Sequence, residues 1–342
     1  MMKRLLALTL FVLSTASQVQ AFSAVNVHSP RLSSVQSLKA STIDTSDDAA
    51  VSTKGVLKRD RYVASNRFAV RKGQNAKFEK RWATRKSKLA VLDGFKYFHL
   101  MRRVTLEGGI CVYEEGEDDA AAQGNYVSFT IWENKSDFSA WRNGEAFKEA
   151  HGGTSIGAFL STMVNSAFVL RGAPKPAFYD GLLLQSVKPE VIPDIVDGWR
   201  SVEADGINTL PTECFVACNQ FYVPQENAIA FEQRWASRES KLKECEGFVA
   251  FSMLRRDGQQ KGHGVVPIAE GEPTYLSTTI WKDFASFDTW RNGNAFKQAH
   301  GGVKPPSEGK GEASQPPQPL WSRPPQPIFY EGTLVISSQE GA

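Results

Sequence analysis

The chain has 342 residues, with 40 Lys and Arg against 37 Asp and Glu and a formal charge of +3. That balance gives no support to a nucleic-acid binder, which gathers basic residues into patches. Hydrophobic residues at 41% against 23% charged describe a globular chain, long enough for about two domains with a core each. Four cysteines, Cys111, Cys214, Cys218 and Cys245, are too few for a disulfide scaffold, and no zinc-type spacing occurs.

Residues 1–60 read as a targeting segment. Lys3 and Arg4 precede the apolar run Leu5 to Leu13, and the small-residue site Val19-Gln20-Ala21 comes after it, the layout of a cleavable signal peptide. Phe22 is next, then a Ser-, Thr- and Lys/Arg-bearing stretch to Ile43 without an acidic residue. The combination resembles the bipartite presequences of algae with complex plastids and implies a plastid address. Secretion, or residence in an endomembrane lumen, is the alternative. The apolar run is too short to span a bilayer, and no membrane insertion is expected once the presequence is removed.

The rest of the chain is one unit written twice. Asn66–Arg103 aligns with Asn219–Arg256 at an offset of 153 with 17 identities in 38 positions, and Asn125–His151 aligns with Thr274–His300 at 149 with 15 in 27. Within the first copy, Tyr62 to Val70 reads as a strand. Asn75 to Val91 reads as a helix with Phe78, Trp82 and Leu89 on one face, ended by Gly94. Phe95 to Leu106 and Tyr126 to Glu133 are the next strands, separated by an acidic loop around 114–119. Ser136-Asp137 opens a second helix carrying Phe138 and Trp141 and interrupted at Asn143-Gly144, and Phe178 to Val187 is the last strand. The order β-α-β-β-α-β is ferredoxin-like. One such sheet leaves a face bare, so two copies are expected to cover each other as an α+β barrel, a dimer made inside one chain. The domains expected are 61–187 and 214–342, joined by a linker over 188–213. Ile156 to Leu170 could add a helix, Ile195 to Ala204 a short one, and the Pro-rich stretch 304–327 is expected to be extended.

Only His151 and His300, of five histidines, occupy equivalent positions. Each ends the motif Trp-Arg-Asn-Gly-x-Ala-Phe-Lys-x-Ala-His-Gly-Gly (141–153 and 290–302). A histidine there can simply cap a helix C-terminus. No hydrolytic triad, paired carboxylate or metal-binding motif accompanies it, and the recurring Ser87 and Ser240 lack an elbow motif. A lone imidazole amid aromatic residues suits a planar metallo-cofactor, with one ring nitrogen on haem iron.

These motifs, together with Asn-Arg-Phe-x-Val, Phe-Glu-x-Arg-Trp and Gly-Phe-x-x-Phe-x-Leu-x-Arg upstream, resemble the antibiotic-biosynthesis-monooxygenase (ABM) domain and its haem-degrading branch. The resemblance covers Tyr62 to about Val187 and Phe215 to about Ser337, and implies a dimeric α+β barrel. It implies that His151 and His300 ligate haem iron, and that Asn66 and Asn219 offer amide hydrogen bonds where dioxygen binds. Trp141 and Trp290 would press on the macrocycle. Haem would be cofactor and substrate at once, oxidised with O2 and electrons from an external reductase or reductant, releasing iron and an open tetrapyrrole. Arg102, Arg103, Arg255 and Arg256 are candidates for its propionates by recurrence alone. Long loops after Glu107, His151 and His300 could cap the pocket or block it. A cofactor-free ABM oxygenase of quinols or other aromatics, and a haem-binding stress protein without turnover, remain as alternatives.

Overall fold

The computed structural model describes residues 56–85, 87–107, 110–113, 124–150, 168–187, 198–200, 202–238, 240–258, 268, 271–299 and 319–338, all within one compact unit, Asp48–Ala342. His151, His300, the acidic loop, most of the segments 156–170 and 304–327, and residues 195–197 and 201 lie outside them.

The first copy runs β1 (Arg61–Phe68), α1 (Asn75–Ala83), β2 (Phe95–Glu107), β3 (Ile110–Tyr113), β4 (Tyr126–Trp132), α2 (Lys135–Asn143), α3 (Glu145–Ala150) and β5 (Lys175–Ser186). The second runs β6 (Cys214–Phe221), α4 (Ala228–Ala236), β7 (Phe248–Arg256), β8 (Tyr275–Trp281), α5 (Phe284–Asn292), α6 (Asn294–Ala299) and β9 (Gln326–Ser337). Apart from β3, which extends the β2 hairpin, this is the β-α-β-β-α-β order twice. α1 is shorter than its apolar spacing predicts. It ends at Ala83, the Thr84 hydroxyl donates to the Lys80 carbonyl at 2.8 Å, and Leu89 reaches the core from a separate turn over Leu89–Val91. Gly198 and Trp199 of the linker are not helical; the Gly198 carbonyl accepts from Ala90 N at 2.9 Å.

Eight strands close a barrel in the order β2-β4-β1-β5-β7-β8-β6-β9, with β9 pairing back to β2. All of these pairs are antiparallel, so direction alternates around the ring and equivalent strands, β2 and β7 for example, run the same way. The pseudo-twofold axis relating the copies therefore lies along the barrel axis. The β5–β7 and β2–β9 seams each contain a bulge, and the bulged strands carry Leu183 and Leu334 at φ of 53° and 51°.

Side chains alternate across each strand. Val63 of β1 and Val216 of β6 point into the barrel with Phe129, Leu254 and Ile280. Tyr62, Ala64 and Phe68 face the first copy's helices, and Phe215, Ala217 and Phe221 face the second's. Gly94 and Gly247 sit at φ of +70° and +72° where the chain passes the start of the second helix. A Cβ there would lie 2.0 Å from Asp137 Oδ2 or 2.1 Å from Ser286 Oγ.

Two buried carboxylates lock the copies together by the same scheme. Glu79 of α1 accepts from Tyr126 Oη at 2.7 Å, from Arg102 at 3.3 Å and from the Leu210 amide, and Arg102 continues to Glu331 of β9 at 3.2 Å. Glu232 of α4 accepts from Tyr275 Oη at 2.8 Å, from Arg255 at 2.9 Å, and from the amides of Val56 and Leu57 at 2.7 Å each. Burial pushes the Glu79 carboxyl up, against the pull of Arg102. Residues 56–60, grouped with the targeting segment on sequence grounds, thus belong to the folded unit: they cap the second copy as residues 209–213 cap the first.

Candidate functional site

β1 presents Asn66 on the same face as Tyr62, Ala64 and Phe68, the face covered by helices, and β6 presents Asn219 likewise. The strand partners repeat as well: Asn66 lies opposite Ser128 and Pro176, and Asn219 opposite Ser277 and Pro327. Both asparagines are half-buried, and neither side chain hydrogen-bonds to another described residue. An amide with donors and an acceptor to spare can receive a ligand.

Trp141 sits on α2, which opens with a capping box between Asn134 and Asp137; Asp283 caps α5 by accepting from Ser286 N at 2.8 Å. The Trp141 ring lies 5.4 Å from Trp132, 5.8 Å from Phe138 and 5.0 Å, edge-on, from Phe147. Trp290 repeats this against Trp281, Phe287 and Phe296 at 5.2, 5.9 and 4.9 Å. Such reproduction fixes the plane of each indole.

On the helix-covered face of each sheet the aromatic residues form two groups. In the first copy one contains Phe68, Phe78, Trp82, Phe98 and Tyr126. The other contains Tyr62, Phe95, Trp132, Phe138, Trp141 and Phe178. Among the described residues no ring contact joins them. Between them the sheet carries Ala64, Asn66, Ser128 and Thr130, and the second copy carries Ala217, Asn219, Ser277 and Thr279 at the matching positions. The threonine hydroxyls donate to the strand carbonyls of Ala64 and Ala217 at 3.3 and 3.1 Å, so they need no other partner. On the β4 register the Asn66 rung lies four residues from the Tyr62–Trp132 rung, about 13 Å along the strand. The result is a small-residue floor with an unengaged amide at one end and a fixed indole beyond the other.

Sequence reasoning missed Arg85 and Arg238, whose only signal was recurrence three residues after Trp82 and Trp235. Their guanidinium carbons lie 4.7 and 4.2 Å from those indole centroids. Arg85 Nε also donates to the carbonyl of Ala150 at 2.8 Å, pinning the end of α3 immediately before His151. Burial, with a smaller contribution from Arg81, pushes the Arg85 guanidinium down to about 10, so it stays charged at neutral pH.

The recurring arginine pairs are placed elsewhere. Arg102 and Arg255 are spent in buried ion pairs, each with the first helix of its own copy and with a strand of the other. Arg256 faces the barrel interior, with its guanidinium near Tyr179 and Glu272. Neither set of contacts leaves these side chains for an anion on the helix-covered face. Cys214 and Cys218 are free thiols on the inner face of β6, pushed up to about 12 by burial, and so unreactive. No cluster of three metal-ligating side chains occurs among the described residues, and no helix of theirs is long and apolar enough to cross a membrane.

Comparison with known proteins supplies the family. The sequence profile described as antibiotic biosynthesis monooxygenase matches twice, over residues 61–153 and 214–302. A staphylobilin-producing heme oxygenase of Staphylococcus haemolyticus is 37% identical over 90 residues, 26% of this chain and 72% of that protein. Solved structures aligned to the chain include one from Fusobacterium nucleatum, provisionally described as a monooxygenase (TM-score 0.46, 11% identity, 82% of this chain and 95% of that one). Another is a heme-degrading enzyme of Listeria monocytogenes (TM-score 0.27, 9% identity, 79% of this chain and 98% of that one). With both repeats matched and each carrying the same asparagine, tryptophan and small-residue floor, the chain belongs to the antibiotic biosynthesis monooxygenase family, as two tandem copies closed into a single barrel.

Proposed function

We propose that this monooxygenase-family oxidoreductase degrades haem, binding it on the helix-covered face of each copy. The observation that carries the reading is the small-residue floor, present twice, flanked by two aromatic groups that no ring contact joins among the described residues. A flat, largely apolar ring suits that shape, and the two Asn amides suit a polar diatomic ligand above it. The identity to a staphylobilin-producing heme oxygenase supports the same substrate class. His151 and His300 come directly after the helix ends that carry Ala150 and Ala299, and are proposed as iron ligands through a neutral ring nitrogen.

Bound haem would supply an iron that activates O2, with the porphyrin ring as the carbon oxidised and an external donor as the source of electrons. The residues of this chain would do the rest. Asn66 and Asn219 would offer amide hydrogen bonds where dioxygen binds. Trp141 and Trp290, held by three aromatic neighbours each, would press on the macrocycle. Arg85 ties the first helix to the end of α3 at Ala150, and it and Arg238 would offer a positive charge to carboxylates there. The presequence composition supports delivery to a plastid.

Haemin titrated into the mature chain should give a Soret band that shifts and then bleaches in air once ascorbate is added. His151→Ala and His300→Ala should each remove one equivalent of haem. No Soret shift would overturn the reading, as would unchanged binding in the double variant. A Soret band that persists under reductant would replace turnover by haem binding alone.

A further inference from the structure

Because the pseudo-twofold axis runs along the barrel, each place on the inner wall exists twice, and the two versions can be compared within one molecule. They have diverged. Tyr97 of β2 corresponds to Ala250 of β7 and His99 to Ser252, and near one mouth of the barrel Arg67 of β1 corresponds to Gln220 of β6. Arg67 follows Asn66 on its strand, so its side chain points the other way, into the barrel.

A pocket of about 40 Å3 at that mouth is lined from both copies, by Arg67 with Gln220, by Tyr179 with Tyr330, and by Arg256 and Glu272. It has room for about three water molecules, which excludes an alkyl chain or an aromatic ring and admits three or four heavy atoms. Its donors outnumber its acceptors. Glu272 accepts from Arg67 and, at 3.5 Å, from Arg256, which also donates to the Tyr179 hydroxyl at 3.4 Å. Beyond that carboxylate the Arg67 side chain bonds to no described residue, and the Nε atoms of both arginines are buried without an acceptor. The Tyr330 hydroxyl bonds to no described residue either. Burial pushes the Tyr179 and Tyr330 phenols up, so at neutral pH both keep a proton to donate. The charged groups that act most on these phenols are Arg67, Arg103 and Arg256, against Glu272. Donors that lack acceptors, in a cavity with surplus positive charge, suit an acceptor that is itself an anion.

We propose that this pocket binds one small monovalent oxyanion, of the size of formate or nitrate. Its oxygens accept from the Arg67 guanidinium and from the Tyr179 and Tyr330 hydroxyls, the groups that the barrel leaves without acceptors. Glu272, at the same place, repels a second negative charge, so a monoanion is favoured over sulfate. The site is on the face of the sheet opposite to Asn66 and Asn219, and it does not depend on haem binding.

The test titrates the full mature chain with sodium formate and with sodium nitrate by calorimetry in a low-salt buffer, where surface charges and competing ions interfere least. Sulfate is the dianion control, and benzoate is the monoanion too large for the pocket. Saturable binding of one formate or nitrate per chain is expected, at least tenfold tighter than sulfate or benzoate. Tighter formate assigns the site to carboxylates and tighter nitrate to inorganic ions, and either supports it. Arg67→Gln, which gives both copies the same residue, should weaken binding at least tenfold. Tyr330→Phe should weaken it too, and because that hydroxyl makes no bond in the fold, its melting temperature should stay that of the natural chain. The proposal falls if neither ion binds saturably, if both variants bind as the natural chain does, or if benzoate binds as tightly as formate and nitrate.

Discussion

Arg255 of β7 holds Asp180 of β5 at 3.1 Å across one seam of the barrel, as Arg102 of β2 holds Glu331 of β9 at 3.2 Å across the other. The two pairs differ in exposure: Asp180 is 12% exposed and Glu331 26%. Each arginine keeps a second, buried carboxylate, Glu232 or Glu79, so loss of the seam partner removes a charge-assisted contact without stranding the guanidinium. Such contacts contribute about 1.5–3 kcal/mol when buried and about 1 kcal/mol or less when exposed, so urea unfolding should find Asp180→Asn destabilised by about 2 kcal/mol, and Glu331→Gln by less. Equal losses would contradict the placement of the seams.

The N-terminal strap gives a second prediction. A chain beginning at Lys54 keeps the Val56 and Leu57 amides on Glu232, and should melt with the full mature protein. A chain beginning at Asp60 leaves that buried carboxylate without them. Hydrogen bonds to charged groups contribute about 1.5–3 kcal/mol each, so scanning calorimetry should show a drop of several degrees between these two truncations.

His99 makes stability depend on pH in a definite direction. Burial pushes its imidazole from the usual 6.5 down to about 3, so the fold holds it neutral while the unfolded chain protonates it. Its effect is absent above pH 6.5 and destabilises progressively as pH falls from 6.5 toward 3. His99→Phe should keep the barrel filled and flatten that decline by up to about 1.4 kcal/mol per pH unit, read from urea unfolding at about pH 7 and about pH 4.5. An identical decline in the variant would show that another group sets the acid limb.

Filling the floor should block haem one copy at a time. Ala64→Leu is expected to lower haemin stoichiometry from two to one, and Ala64→Leu with Ala217→Leu to abolish the Soret shift. Melting temperature reports separately on overpacking, which costs about 1–3 kcal/mol.

Replacing the unengaged amides separates binding from turnover. Asn66→Ala with Asn219→Ala should retain haemin and the fold, since neither side chain bonds to a described residue, but slow bleaching under ascorbate at least tenfold. Full-rate bleaching would remove these residues from the chemistry.

The fold was legible because the copies repeat: the alternation of Tyr62, Ala64 and Phe68, the Phe78–Trp82 spacing and the Asn143-Gly144 break each recur at a fixed offset. Asn66 and Trp141 recur in the same way, and the roles proposed for them come from the family resemblance. What periodicity could not give was long-range partnership. Leu89 fits the helical spacing after Trp82 yet stands in its own turn, since spacing reports a shared face and not an unbroken helix. Arg102 and Glu331 are 229 positions apart, and nothing local to either marks the pair. The same recurrence that singled out Arg102 and Arg255 as ligand candidates arose from their role in joining the copies.

Closure of both seams within one chain has a thermodynamic consequence. A barrel assembled from two separate subunits loses stability on dilution, because dissociation gains translational freedom. Here β5–β7 and β2–β9 are intramolecular, so the unfolding midpoint should not depend on protein concentration, and the two halves are always present in equal number. A substitution that suits one position no longer has to suit its mirror image. Tyr97 could therefore become unlike Ala250, and His99 unlike Ser252, without either half losing its partner.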